Sequence, residues 1–121
     1  NEKRLRNLFQ RTGLLFASAN DVATVYESAS KHIHPRIFGE SILTIGKGIT
    51  AFSEGYDGLI VMGPLQCLPF KISEAILKPL SLQQNMPILI YETDGYSMPP
   101  AFLRLVQVHI QQVLRRYRQG G

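Results

Sequence analysis

The sequence holds one cysteine among 121 residues. A lone thiol cannot close an intrachain disulfide, so nothing in the chain implies an oxidising compartment. No apolar run approaches the roughly 20 residues needed to span a bilayer, and no signal-peptide pattern is present. A soluble, cytoplasmic protein without membrane contact is the expectation. The basic ends, Lys3, Arg4, Arg6 and Arg11 at one and Arg115, Arg116 and Arg118 at the other, lack interleaved stacking aromatics. They read as solvated helix faces and not as a nucleic-acid site. Nucleotide-binding glycine signatures are also missing. Six residues lie between Gly39 and Gly46 and Gly48 follows Lys47, where a Walker loop wants four intervening residues and a hydroxyl residue after the lysine. Gly46-Lys47-Gly48 likewise has no preceding strand and no third glycine, which excludes a dinucleotide fingerprint.

What is present is organised around Asp57–Gly95. The runs Leu59-Ile60-Val61-Met62 and Ile88-Leu89-Ile90-Tyr91 are short and apolar, with Asp-Gly at their outer ends. That pattern predicts strands buried on both faces. Between them Ile72, Ala75, Ile76 and Leu80 recur at helical spacing, so the segment reads as a parallel βαβ unit with a right-handed crossover. Further helices are expected on either side. Leu5, Leu8 and Phe9 form one face of a first helix ending at Gly13, and Leu14-Leu15-Phe16 is either a third strand or an apolar link. Val22, Val25, Tyr26, Ala29 and Ile33 mark a second helix that must stop before Pro35. Phe38, Ile42, Ile45, Ile49 and Phe52 mark a third, whose Gly46 and Gly48 imply close backbone packing. Pro99-Pro100 opens a last helix over 101–117, with Phe102, Val106, Ile110, Val113 and Tyr117 on one face.

The expected fold is therefore a small three-layer α/β domain with a parallel sheet, an incomplete Rossmann- or flavodoxin-like unit. Residues 1–121 make one domain. The chain starts inside a helical pattern without Met and stops straight after a helix, so excision from a longer multidomain protein is expected. Two strands, or three, fall short of the four to six of an ordinary sheet. Uncovered edges are expected to be met by other domains of the parent chain or by a second copy.

Candidate chemistry gathers at the carboxyl ends of the strands, where open α/β sheets bind ligands. Cys67 sits in the loop Gly63–Phe70 just before the crossover helix, a position that biases a thiol toward thiolate. The alternative is a small, buried, inert thiol. Glu92 and Asp94 end the second strand at the mouth of the same crevice, either to orient a ligand or to turn the chain. His32 and His34 lack a supporting ligand nearby and read as loop residues, and His109 reads as an ordinary boundary residue of the last helix.

The segments Gly39-Glu40-Ser41-Ile42-Leu43-Thr44-Ile45-Gly46-Lys47, Gly55-Tyr56-Asp57-Gly58, Cys67-Leu68-Pro69, Glu74-Ala75-Ile76-Leu77-Lys78, Met86-Pro87-Ile88-Leu89 and Glu92-Thr93-Asp94-Gly95 carry a resemblance. The chain resembles the CoA-substrate-specific enzyme activases, large proteins related to the 2-hydroxyacyl-CoA dehydratases and their ATP-dependent activators. The similarity spans nearly the whole chain, is closest over Gly39–Gly95, and is to the C-terminal, dehydratase-like part; the ATPase module has no counterpart here. In the dehydratases a similar strand-cysteine-proline loop supplies one of three cysteines to a 4Fe-4S cluster. The resemblance therefore implies Cys67 as one iron ligand, with Glu92 and Asp94 beside the site. The other two cysteines are absent, so a cluster is implied for the full-length protein and none for this piece, which is not expected to catalyse by itself. The competing expectation is a non-catalytic docking or regulatory module with Cys67 buried.

Overall fold

The computed structural model describes residues 8, 9, 12, 22–37 and 39–120. Its elements are α1 (Val22–Ser30), α2 (Ser41–Ser53), β1 (Leu59–Pro64), α3 (Leu68–Gln83), β2 (Ile88–Thr93) and α4 (Pro100–Arg118). Among the described residues this is a mixed α/β arrangement of four helices and a two-stranded parallel sheet. Leu8 and Phe9 are helical. The rest of the expected first helix, the Leu14–Phe16 segment and Phe38 lie outside the described residues.

The two apolar runs pair in parallel, Leu59 against Ile88 through Pro64 against Thr93, with α3 as the crossover. The strands are not buried on both faces, however. Val61 is buried while its neighbours Ile60 and Met62 are 47% and 42% exposed. Alternation along β1 is the reason: Leu59, Val61 and Gly63 turn toward α3, and Ile60 and Met62 turn to the other face, which α4 covers chiefly over β2. There Tyr91 meets Phe102 of α4 with ring centroids 4.2 Å apart and planes tilted by 51°, a geometry that aromatic pairs favour.

Two apolar clusters hold the elements together. Val61, Phe70 and Leu77 form one, backed by Phe52, Leu59, Ile88 and Ile90. Ala29, Ile33, Ile42 and Ile45 form the other, between α1 and α2. The crossover helix serves both, and this rotates its buried face from the expected one. Phe70, Ser73, Leu77 and Ser81 are buried, Ala75 is exposed, and Ile72 and Ile76 pack on the α1–α2 cluster and not on the sheet. A similar rotation occurs in α1, where Val25 and Ala29 are buried but Val22 and Tyr26 are exposed.

The glycines of α2 do mark close approaches, in both cases to another helix. A Cβ on Gly46 would collide with the backbone carbonyl of Val25 in α1, and one on Gly48 would lie 2.5 Å from Leu77 Cδ2 in α3. In α4 the buried stripe is Phe102 and His109, with Val106, Val113 and Arg116 partly covered. Ile110 and Tyr117, expected on that stripe, are 49% and 69% exposed. His109 takes the place expected for Ile110 because its spacing of seven from Phe102 and four from Val113 keeps it on the sheet side.

Candidate functional site at the carboxyl ends of the strands

Cys67 is the residue immediately before α3, with extended backbone dihedrals of φ −78° and ψ 114°. Two features put it there. Gln66 adopts a left-handed φ of 58°, which closes a tight turn after β1 and lets the Cys67 N–H donate to Pro64 O at 3.3 Å. Pro69 then occupies the first turn of α3, where its missing N–H leaves no bond unmade. The thiol is only partly exposed and leans on the Val61–Phe70–Leu77 cluster.

One turn into α3, Lys71 stands between two carboxylates. Its Nζ lies 3.0 Å from Glu74 Oε2 and 3.2 Å from Glu92 Oε2, and those hydrogen bonds, Glu74 first and then Glu92, push its pKa up from 10.5. The Lys71 N–H also donates to Cys67 O at 3.0 Å. Glu92 is opposite Gly63 in the register, on the strand face that looks at α3, and its second oxygen Oε1 is buried without a hydrogen-bond partner. Gly63 is required there, since a Cβ would enter the ring of Phe70.

Asp94 has a different situation. Its Oδ1 accepts from the Tyr96 N–H at 3.1 Å, and Thr93 Oγ1 accepts from the Gly95 N–H at 3.1 Å, so both side chains build the turn that leads to α4. A shallow cleft of about 460 Å³ opens beside this turn, lined by Met62, Gly63, Pro64, Leu65, Thr93, Asp94 and Gly95. Cys67 and Glu92 do not line it. The structure thus places Cys67 and Glu92 on the α3 side, linked through Lys71, and Asp94 by a cleft at the strand ends.

Gly39 (φ 101°) completes the surroundings. A Cβ on it would lie 2.8 Å from Pro69 Cγ, so the entrance to α2 touches the entrance to α3. His32 and His34 are exposed between α1 and α2, as expected of loop histidines, and His34 Nδ1 accepts from the Arg36 N–H at 3.2 Å. Among the described residues no three His, Cys, Asp or Glu side chains are grouped to hold a metal ion. No described helix is long and apolar enough to cross a membrane.

Lys71 escaped the sequence reading, and the burial of His109 and the contacts of Arg116 were not legible there. Lys71 had a signal, its three-residue spacing from Glu74 and four-residue spacing from Cys67, whereas its contact with Glu92 depends on strand register. Arg116 reads in the sequence as part of a solvated basic face, yet its Nη1 donates to the carbonyls of Gln84 (2.9 Å) and Asn85 and ties α4 to the end of α3. Comparisons with family models, with curated proteins and with solved structures find no match for this chain.

Proposed function

We propose that the chain is a dehydratase-like lobe of a CoA-substrate-specific enzyme activase system, supplying the single thiolate of Cys67 to an iron–sulfur site that other domains complete. The observation that carries this reading is the position of Cys67, partly exposed at the head of α3 and directly after β1. The touching of Gly39 and Pro69 adds support, because two of the segments that carry the family resemblance meet at this end of the sheet. Alone the chain does not fit a 4Fe-4S cluster: it has one cysteine where such a cluster is held by several, and no described His, Asp or Glu supplements it as a group. The lobe therefore has no independent catalytic step. Among the described residues β1 pairs only with β2, which fits an incomplete Rossmann- or flavodoxin-like three-layer domain whose sheet is continued by other domains of the parent protein. Anaerobic expression of that protein, wild type against Cys67→Ala, with iron and sulfide assays, tests the assignment. A loss of cluster in the variant is expected, and equal iron and sulfide in both would overturn it.

The contact of Cys67 with the Val61–Phe70–Leu77 cluster favours a second reading, a docking or regulatory module with an inert thiol. A thiol-reactive reagent separates the two on the chain itself. Cys67 that reacts in the native protein nearly as fast as in denaturant supports the first; a thiol released only on unfolding supports the second.

A further inference from the structure

The helix α4 exposes more apolar side chains than burying it on the sheet requires. Phe102, Val106, His109 and Val113 face inward. Beside them Leu103, Ile110, Leu114 and Tyr117 repeat at spacings of seven, four and three and are 59%, 49%, 46% and 69% exposed. At 100° per residue these four fall within about 60° of arc, the width of a helix-pairing seam. The seam points away from α3, since Gln112, Arg115, Arg116 and Gln119 on the other flank line the cleft against the end of that helix. Its free border carries Gln107, Gln111 and Arg118, with Arg104 and Arg115 beyond. No acidic residue occurs anywhere in α4, and among the described residues none of Arg104, Arg115 and Arg118 has an ion-pair partner.

From this we infer that α4 is a docking surface for an acidic amphipathic helix of another polypeptide, with apolar residues at three- and four-residue spacing and Asp or Glu along its border. Charge disfavours a second copy of the chain as occupant. An antiparallel pair of α4 helices would set Arg104 of one against Arg115 and Arg118 of the other, and a parallel pair would set the arginine border of each against the opposite border of its partner, where α4 has no acidic residue to meet it. Like charges across a helix seam disfavour pairing and opposite charges select the partner. Placement argues against an anionic membrane, because helices that lie in a bilayer surface present one broad apolar face, whereas Leu105 and Val108, 46% and 54% exposed, are separated from the seam by the arginines. The inference is independent of Cys67.

The probe is a labelled peptide of about three heptads with Leu at the seam positions and Glu at the flanks, followed by fluorescence anisotropy against the whole chain. A second peptide carries Lys in place of Glu. The Glu peptide should bind about tenfold or more tighter than the Lys peptide, and rising salt should narrow the difference. Leu114→Asp and Leu103→Asp, at exposed positions that leave the far-ultraviolet circular dichroism unchanged, should each abolish binding. Joint reversal by Arg104→Glu, Arg115→Glu and Arg118→Glu should switch the preference to the Lys peptide. Equal binding of both peptides, or of neither, overturns the inference. So does a chain dimer that Leu114→Asp dissociates, or tighter binding to vesicles of phosphatidylserine than to the Glu peptide.

Discussion

Gly46 and Gly48 occupy one helix and look alike in sequence, yet they answer to different neighbours. At Gly46 the obstacle is the Val25 carbonyl, which cannot move without shifting α1; at Gly48 it is the end of the Leu77 side chain. Alanine in a helix interior gains about 1 kcal/mol over glycine, and overpacking a filled core costs about 1–3 kcal/mol. The loss should therefore dominate at Gly46, so Gly46→Ala is expected to lower stability by up to about 2 kcal/mol and Gly48→Ala by less, read from urea midpoints at constant slope. Leu77→Ala should exceed both, at about 2–5 kcal/mol, because Leu77 is fully buried where the sheet cluster meets α3. That the α2 glycines mark close packing was legible in the sequence. Which neighbour each one meets was not, since contact between helices distant in the chain is set by how they cross.

Among the elements, α4 shows how far a periodicity can be read. Its length and its double-proline start follow from the sequence, but apolar residues occupy more than one face, so spacing alone leaves the buried stripe open and selects Ile110 over His109. The structure chooses His109, and burial lowers the pKa of the imidazole from 6.5. With the folded value depressed, the unfolded chain binds more protons below pH 6.5, so the contribution to stability is complete above about 6.5 and is lost as pH falls toward the folded value. Chemical denaturation at pH 7.5 and at pH 5.5, values chosen on either side of the ordinary histidine range, should show the wild type weaker at the lower pH. In His109→Leu, which also removes the buried, unpartnered Nδ1, that difference should shrink. A variant as acid-sensitive as the wild type would assign the effect to other groups. Arg116→Ala is expected to leave the helix in place but to free its end from Gln84 and Asn85, visible as faster amide exchange in the last turn of α4.

For the molecule as a whole the deciding feature is the sheet, read from the sequence as two parallel strands around a crossover, with residues 14–16 as either a third strand or a link; the structure shows the pairing of the two, and residues 14–16 lie outside the described residues. The candidate site was less legible. Cys67, Glu92 and Asp94 all lie at the strand ends, but their division between two sides depends on strand parity and on the turn chemistry of Asp94. Parity also fixes what β1 offers on the edge that no described strand pairs. The Leu59 N–H donates to Pro87 O at 3.0 Å and the Leu65 N–H to Thr93 O at 2.9 Å, so the odd-numbered residues from Leu59 to Leu65 turn their backbone groups toward β2. Ile60 and Met62, between them, present N–H and C=O outward, beside a groove of about 370 Å³ shared with Thr44, Lys47, Ala51 and Tyr56. Native-state hydrogen exchange reads this directly. Val61 and Gly63 amides should be protected to nearly the full unfolding free energy, and Ile60 and Met62 amides should exchange orders of magnitude faster. Protection of all four at low protein concentration would mean that the edge is already paired within the chain. Protection of Ile60 and Met62 that grows with concentration would mean that a second copy supplies the missing strand. Alternation that persists at every concentration leaves the edge free for a strand from other domains of the parent protein, as the proposed lobe requires.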